Sequence, residues 1–166
     1  MPYSDRFIAT DNLIIHLSSV ISTITDTMVL ASYAGFLSVS AVTVYELAIK
    51  DIFYEFSLKK NIVFGSFVQN HLKRMNGRIQ IDSLKGEHIK TFGAKYFNKF
   101  NRLLQKKEES ILNTRHISIT SSYQNLIQCR HDFVHKGSPT LSFNEVIDDY
   151  QNCKEVIHCL NDTMKR

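Results

Sequence analysis

The chain has 166 residues, 43% of them hydrophobic and 22% charged, a balance that supports a packed core and excludes a disordered or low-complexity chain. Two prolines and six glycines argue against a loop-rich or all-β fold, and the net charge of +4 leans toward anionic partners. Three cysteines, Cys129, Cys153 and Cys159, are odd in number, show no metal-ligand spacing and suit a reduced, cytoplasmic protein.

The segment from Met1 to Asp11 is polar and carries Asp5 and Arg6, so no signal peptide is expected. The first helix is predicted from about Asn12 to Ser32, capped by Thr10 or Asp11, with a stripe of Leu13, Leu17, Val20, Ile21, Ile24 and Met28. Gly35 is expected to weaken or break it. The second helix runs from about Leu37 to Leu58, with Ala41, Tyr45, Ala48, Ile49, Ile52, Phe53 and Phe56 on its core face. Glu46 and Lys50 fall on a different face. Thr27 to Tyr45 contains no charge, yet it carries several Ser and Thr and is flanked by Asp26 and Glu46, so buried bundle helices are expected here and no membrane span.

A third, shorter helix spans about Val63 to Met75, with Phe64, Phe67, Val68, Leu72 and Met75 turned inward and Asn76-Gly77 as its stop. Ile79 to Ile81 is a short extended piece. Asp82 or Ser83 then caps a helical region through Ile89, Phe92, Tyr96, Phe97, Phe100, Leu103 and Leu104, which Gly93 can split, and Glu108 to Asn113 adds a turn. The next helix starts near Ser118 or Thr120 and ends near Lys136, with Gly137 as its C-cap and Pro139 preventing continuation. Ser142 and Glu145 form a capping box for a last helix bearing Val146, Tyr150, Cys153, Ile157, Leu160 and Met164. The expectation is one all-α domain over residues 1–166, a bundle of about five main helices with short connections.

Charge is unevenly placed. Between Lys73 and Lys107 ten basic residues stand against Asp82 and Glu87, whereas the last helix carries Glu145, Asp148, Asp149, Glu155 and Asp162. Such a segment can guide a phosphate backbone, with Lys90, Lys95, Lys99 and Arg102 as candidate contacts, or it can be a solvated helix face. The aromatic residues interleaved with these lysines have core spacing.

The stretch Arg130-His131-Asp132-Phe133-Val134-His135-Lys136-Gly137 carries the chemistry. Continuing the apolar stripe of Ile119, Tyr123, Leu126 and Ile127 lands on Arg130, which should point toward the core or a cleft. A guanidinium and an imidazole confined together suit work on a phosphate: one holds its oxygens and the other moves a proton. Arg130, His131 and His135 resemble the Arg-x4-His motif of the HEPN superfamily of small all-helical domains, nearest to the bacterial RiboL-PSP-associated type. Placement at a helix C-terminus, followed by a Gly/Pro loop and one long final helix, is similar as well.

The resemblance implies a metal-independent endoribonuclease without a cofactor, active as a toxin or in defence. It would use the RNA 2′-hydroxyl as nucleophile and leave a 2′,3′-cyclic phosphate and a 5′-hydroxyl. In that reading His135 is base or acid, Arg130 stabilises charge on phosphorus, His131 supports the reaction, and Lys136 contacts substrate. Glu46 and Asp132 support the site. It also implies a homodimer that joins two motifs across one cleft. Residues five apart on a helix are separated by about 7.5 Å and about 140°, so Arg130 must bend around, the helix must unwind at His135, or a second copy must complete the site. An antitoxin or regulatory partner is possible, although Lys136-Gly137 departs from the His-x-Tyr branch that pairs with a nucleotidyltransferase.

Two other readings stay open. His131 and His135 at helical spacing could bind zinc, with a third ligand from Glu145, Asp148 or Asp149. Alternatively the motif is structural, with Arg130 paired to Glu46 or Asp132 in a non-catalytic RNA- or protein-binding module.

Overall fold

A computed structural model describes residues 2–75 and 77–165. The described chain begins with a 3-10 turn at Tyr3–Arg6 that leads into α1 (Phe7–Ile21). After a short break come α2 (Thr27–Leu58) and α3 (Ile62–Leu72). The turn α4 (Ile81–Ser83), a π-turn at Leu84–His88 and a 3-10 turn at Ile89–Phe92 follow. Then come α5 (Ala94–Arg115), α6 (Ile119–Lys136) and α7 (Phe143–Met164). No strand occurs among the described residues, so Ile79–Ile81 is not an extended piece; buried Ile79 precedes the α4 turn.

The bundle is built around α2, which contacts α1, α3, α6 and α7. Its expected core face is buried throughout, and full burial of each large apolar side chain such as Ile49 or Phe53 contributes about 1.5–3 kcal/mol. The helix is apolar and long enough to cross a membrane, yet its partners are the other helices of the bundle. Its small polar residues are satisfied locally: Ser38 Oγ donates to the Gly35 carbonyl at 2.7 Å, and Ser57 Oγ to the Phe53 carbonyl at 2.8 Å.

The break between the first two helices is not where Gly35 suggests. α1 ends at Ile21, and Asp26 caps α2 by accepting from the amides of Met28 and Val29. α2 then passes unbroken through Gly35. The predicted α1 stripe holds in part: Leu17 is buried and Leu13 and Ile21 pack against the core, while Val20 and Met28 are exposed and Phe7, Thr10 and Ile14 complete the buried face. Neither Thr10 nor Asp11 is a cap. Thr10 shares a hydrogen bond with Ser40 at 2.9 Å, and Asp11 pairs with Lys154 at 2.7 Å.

α3 buries Val68 and Leu72, with Met75 just beyond it, but leaves Phe64 and Phe67 exposed instead of inward. Asn76, half of the predicted stop, lies outside the described residues; Gly77 takes φ +75, the left-handed region that favours glycine. Gln80 flanks α4 in the place expected for Asp82 or Ser83. Gly93, at φ +110, does divide the next region, and α5 runs on through Glu108 to Arg115.

The later predictions hold. Ser118 caps α6, Gly137 ends it at φ +71, and Ser142 with Glu145 forms the capping box of α7. Stacked tyrosines join α2, α6 and α7: Tyr45 lies 6.3 Å from Tyr123 and 5.4 Å from Tyr150. Their hydroxyls donate to the carbonyls of Tyr150, Ile79 and Phe7 respectively, which answers the cost of burying them. All three cysteines are free and buried, and burial pushes the Cys159 thiol up to about 11.

Candidate active site

The last turns of α6 present the motif. The helix continues to Lys136, so it does not unwind at His135. His131 and His135, one turn apart, are both exposed, and their ring centroids lie 4.5 Å apart. Their spacing makes them neighbours on one face. Arg130 occupies another face and is half-buried.

Arg130 lies against the turn after α3. Its Nη1 is 3.9 Å from the point where a Cβ on Gly77 would sit. The Gly77 amide donates to Glu46 Oε2 at 2.8 Å, and Glu46 Oε1 accepts from Lys50 at 2.6 Å. Glu46 thus fixes the turn on which Arg130 rests. Its expected pairing with Arg130 is replaced by contacts to Gly77 and Lys50. Glu46 and Lys50 meet because residues four apart are helix neighbours.

Asp132 also differs from expectation. It is buried and pairs with Lys136 at 2.6 Å while accepting from Gln128 at 2.9 Å. Hydrogen bonding from Lys136, then from Gln128, holds its carboxyl below the usual value. No carboxylate forms an ion pair with Arg130 among the described residues. Lys136 is exposed at the motif, but its ammonium is engaged by Asp132.

Phe133 anchors the motif to the bundle. Its ring lies directly over Gly35 of α2, and a Cβ there would overlap it. Gly35 therefore serves close approach of helix to ring, and it does not break the helix.

The predicted basic contacts divide. Lys99 Nζ donates to the carbonyls of Thr163 and Lys165, both at 3.0 Å, and so closes the C-terminus of α7. Lys95 and Arg102 are exposed on α5, next to residues that pack on the far end of α2: Tyr96 meets Phe56 at 5.1 Å. From Gly35 to Phe56 is 21 residues, about 31 Å of helix, so Lys95, beside Tyr96, stands well away from the motif. Lys90 is exposed on the turn following His88. Phe92 stacks on Phe53 at 5.1 Å, as core spacing implied. Arg74 and Arg78, on either side of Gly77 in sequence, line a cavity of about 300 Å³ with His71, Glu87 and His88, and Arg78 pairs with Glu87 at 3.8 Å. Sequence reading placed them in the basic segment without distinguishing them; the Gly77 turn between them is what meets Arg130.

Among the described residues, no group of three His, Cys, Asp or Glu side chains is gathered to hold a metal. His131 and His135 therefore lack the third ligand expected from Glu145, Asp148 or Asp149. Glu145 is committed to the Ser142 amide at 2.8 Å.

A family model described as RiboL-PSP-HEPN matches residues 5–166. No curated protein and no solved structure matches the chain.

Proposed function

The chain belongs to the RiboL-PSP-HEPN family, and from that premise we propose that it is a metal-independent endoribonuclease. The observation that carries this reading is the pair of exposed imidazoles, His131 and His135, 4.5 Å apart on the turn that follows Arg130. Cleavage of RNA through its own 2′-hydroxyl needs a base for that hydroxyl, an acid for the departing 5′ oxygen and positive charge at phosphorus. Imidazole suits both proton transfers near neutral pH.

His135 takes the 2′-hydroxyl proton as the oxygen attacks phosphorus. The P–O5′ bond breaks, the leaving oxygen gains a proton, and the products are a 2′,3′-cyclic phosphate and a 5′-hydroxyl. His131 stands beside His135 as the second proton-handling group. Arg130 binds the non-bridging oxygens, and Arg74 and Arg78 extend its positive surface along the strand. Because Arg130 and His135 occupy different faces of an unbroken helix, a homodimer that brings two motifs across a two-fold axis supplies one complete set. A toxin or defence role, with a regulatory partner, rests on family membership alone.

The test uses a mixed-sequence RNA in excess EDTA, with chemical typing of the new ends. Wild type should cleave and leave cyclic-phosphate ends. Arg130→Ala and His135→Ala should lose cleavage while melting as wild type does, and light scattering should give twice the chain mass. Folded variants that cleave at the wild-type rate would remove these residues from the mechanism. A folded wild type that binds RNA without cleaving it would make the protein a binding module.

A further inference from the structure

His88 has an unusual setting outside the motif. It ends the π-turn at Leu84–His88, a backbone form frequent at functional sites, and is only 7% exposed. Its Nε2 lies 3.1 Å from the Arg78 carbonyl oxygen. A carbonyl can only accept, so Nε2 carries the proton. Burial is the main influence lowering the pKa of the ring, which favours the neutral form. Nδ1 is then an acceptor, and it has no hydrogen-bond partner among the described residues. Buried acceptors of this kind are costly unless something donates to them.

The same ring lines a cavity of about 250 Å³ between α3 and the turns before α5. Its other walls include Phe64, Phe67, His71, Leu72 and Phe92. Phe67 is 66% exposed and stacks on His71, with ring centroids 6.3 Å apart and planes 15° apart. Nearby exposed cations are Lys73, Arg74, Arg78 and Lys90, set against Glu87. Flat aromatic walls, one buried acceptor and a basic surround match the recognition of an unstacked base on a polyanionic strand. An aliphatic ligand would leave Nδ1 unsatisfied, and a neutral peptide would make no use of the charge.

We propose that this cavity seats one nucleobase of single-stranded RNA, packed against Phe67 and Phe92, with an amino or imino N–H of the base donating to His88 Nδ1 once the entering base displaces the side chains that now cover it. The identity of the strand rests on the ribonuclease reading. The seat is linked to the motif through the chain: Arg78, whose carbonyl holds His88, follows Gly77, against which Arg130 lies. A strand held at Arg130 can therefore place a neighbouring base in the cavity. Every base offers a suitable N–H, so the seat fixes register along the strand and does not by itself select one base.

The experiment uses the full chain carrying His135→Ala, so that the probe stays intact. The probes are a mixed-sequence single-stranded RNA decamer and a matched set with one abasic position walked along it. Affinity is read by fluorescence anisotropy, and the His88 ring nitrogens by NMR. Adding Phe67→Ala, a change at an exposed residue, should weaken the decamer about 5- to 150-fold, the range expected for one base–aromatic stack. One abasic position should weaken it similarly, and only base-bearing strands should move the His88 Nδ1 resonance. Unchanged affinity in the Phe67→Ala protein with an unmoved His88 resonance would overturn the seat, as would a failure to bind RNA at all. Should the wild type fail to cleave RNA while these signals appear, the chemistry at Arg130 falls and the seat stands. Cleavage without these signals gives the reverse result.

Discussion

Gly35→Ala separates two physical expectations that have opposite signs. By helix propensity alone, replacing an interior glycine with alanine stabilises by about 0.8–1 kcal/mol. Gly35, however, is buried within α2, and an added Cβ would overlap the Phe133 ring. Relief requires the ring or α6 to move, and overpacking of this kind costs about 1–3 kcal/mol. The difference is a net destabilisation of about 0–2 kcal/mol, or a fall in Tm of about 2–4 °C per kcal/mol for a chain of this size. Phe133 is two residues from both His131 and His135, so displacement should reduce cleavage more than stability. Urea melts and RNA cleavage rates on Gly35→Ala, Phe133→Ala and the double variant provide the assay. In Phe133→Ala the ring is gone, and there the added methyl at Gly35 should be neutral or stabilising. The resulting coupling between the two sites is the signature of direct contact. A Gly35→Ala protein more stable than wild type, with an unchanged cleavage rate, would refute the packing argument.

Two further predictions concern charge. Arg78→Gln should weaken RNA binding and reduce the slope of log affinity against log salt by about 1, while Arg102→Gln should leave the slope unchanged; a titration over salt concentration compares them. Stability should decline in mild acid, because burial lowers the pKa of both His88 and His158. For His88, the Arg78 carbonyl and Glu87 oppose this shift, while His71 and Arg78 add to it. For His158, Glu155 and Asp162 oppose it, while Lys107 and Lys154 add to it. An unfolded histidine titrates near 6.5, so below that pH the unfolded chain binds more protons than the folded one. The stabilisation is complete above about pH 6.5 and is lost as pH falls toward the folded values. Thermal melts from about pH 7.5 to 5.5 should show Tm falling, and His158→Gln should flatten the decline.

Most helices were legible because their signals were local. The capping box at Ser142, the left-handed glycine after Lys136 and the core face from Ala41 to Phe56 each depend on a few neighbouring residues. Gly35 was misread because its role depends on Phe133, nearly a hundred positions away in sequence. Propensity assigns a helix-interior glycine a cost, and only the tertiary contact explains its presence. The outward turn of Phe64 and Phe67 was hidden for a related reason. Periodicity marks both aromatic residues as apolar, but it does not distinguish a core face from the wall of an open cavity.

The site divides along the same line. Arg130, His131 and His135 belong to one helix, so their spacing alone showed that the imidazoles would be neighbours and that Arg130 would face elsewhere. What surrounds Arg130 comes from a different part of the chain, the turn through Gly77, held by Glu46 from α2. A count of lysines and arginines marked Lys73 to Lys107 as the basic segment, yet within it Lys99 closes α7 and Lys95 stands beside Tyr96, near the far end of α2. Gly77, which adopts a positive φ, turns the chain beneath the guanidinium. The candidate site is therefore two pieces: a pair of neighbouring helical histidines readable from spacing, and the Gly77 turn that only the tertiary fold brings to Arg130.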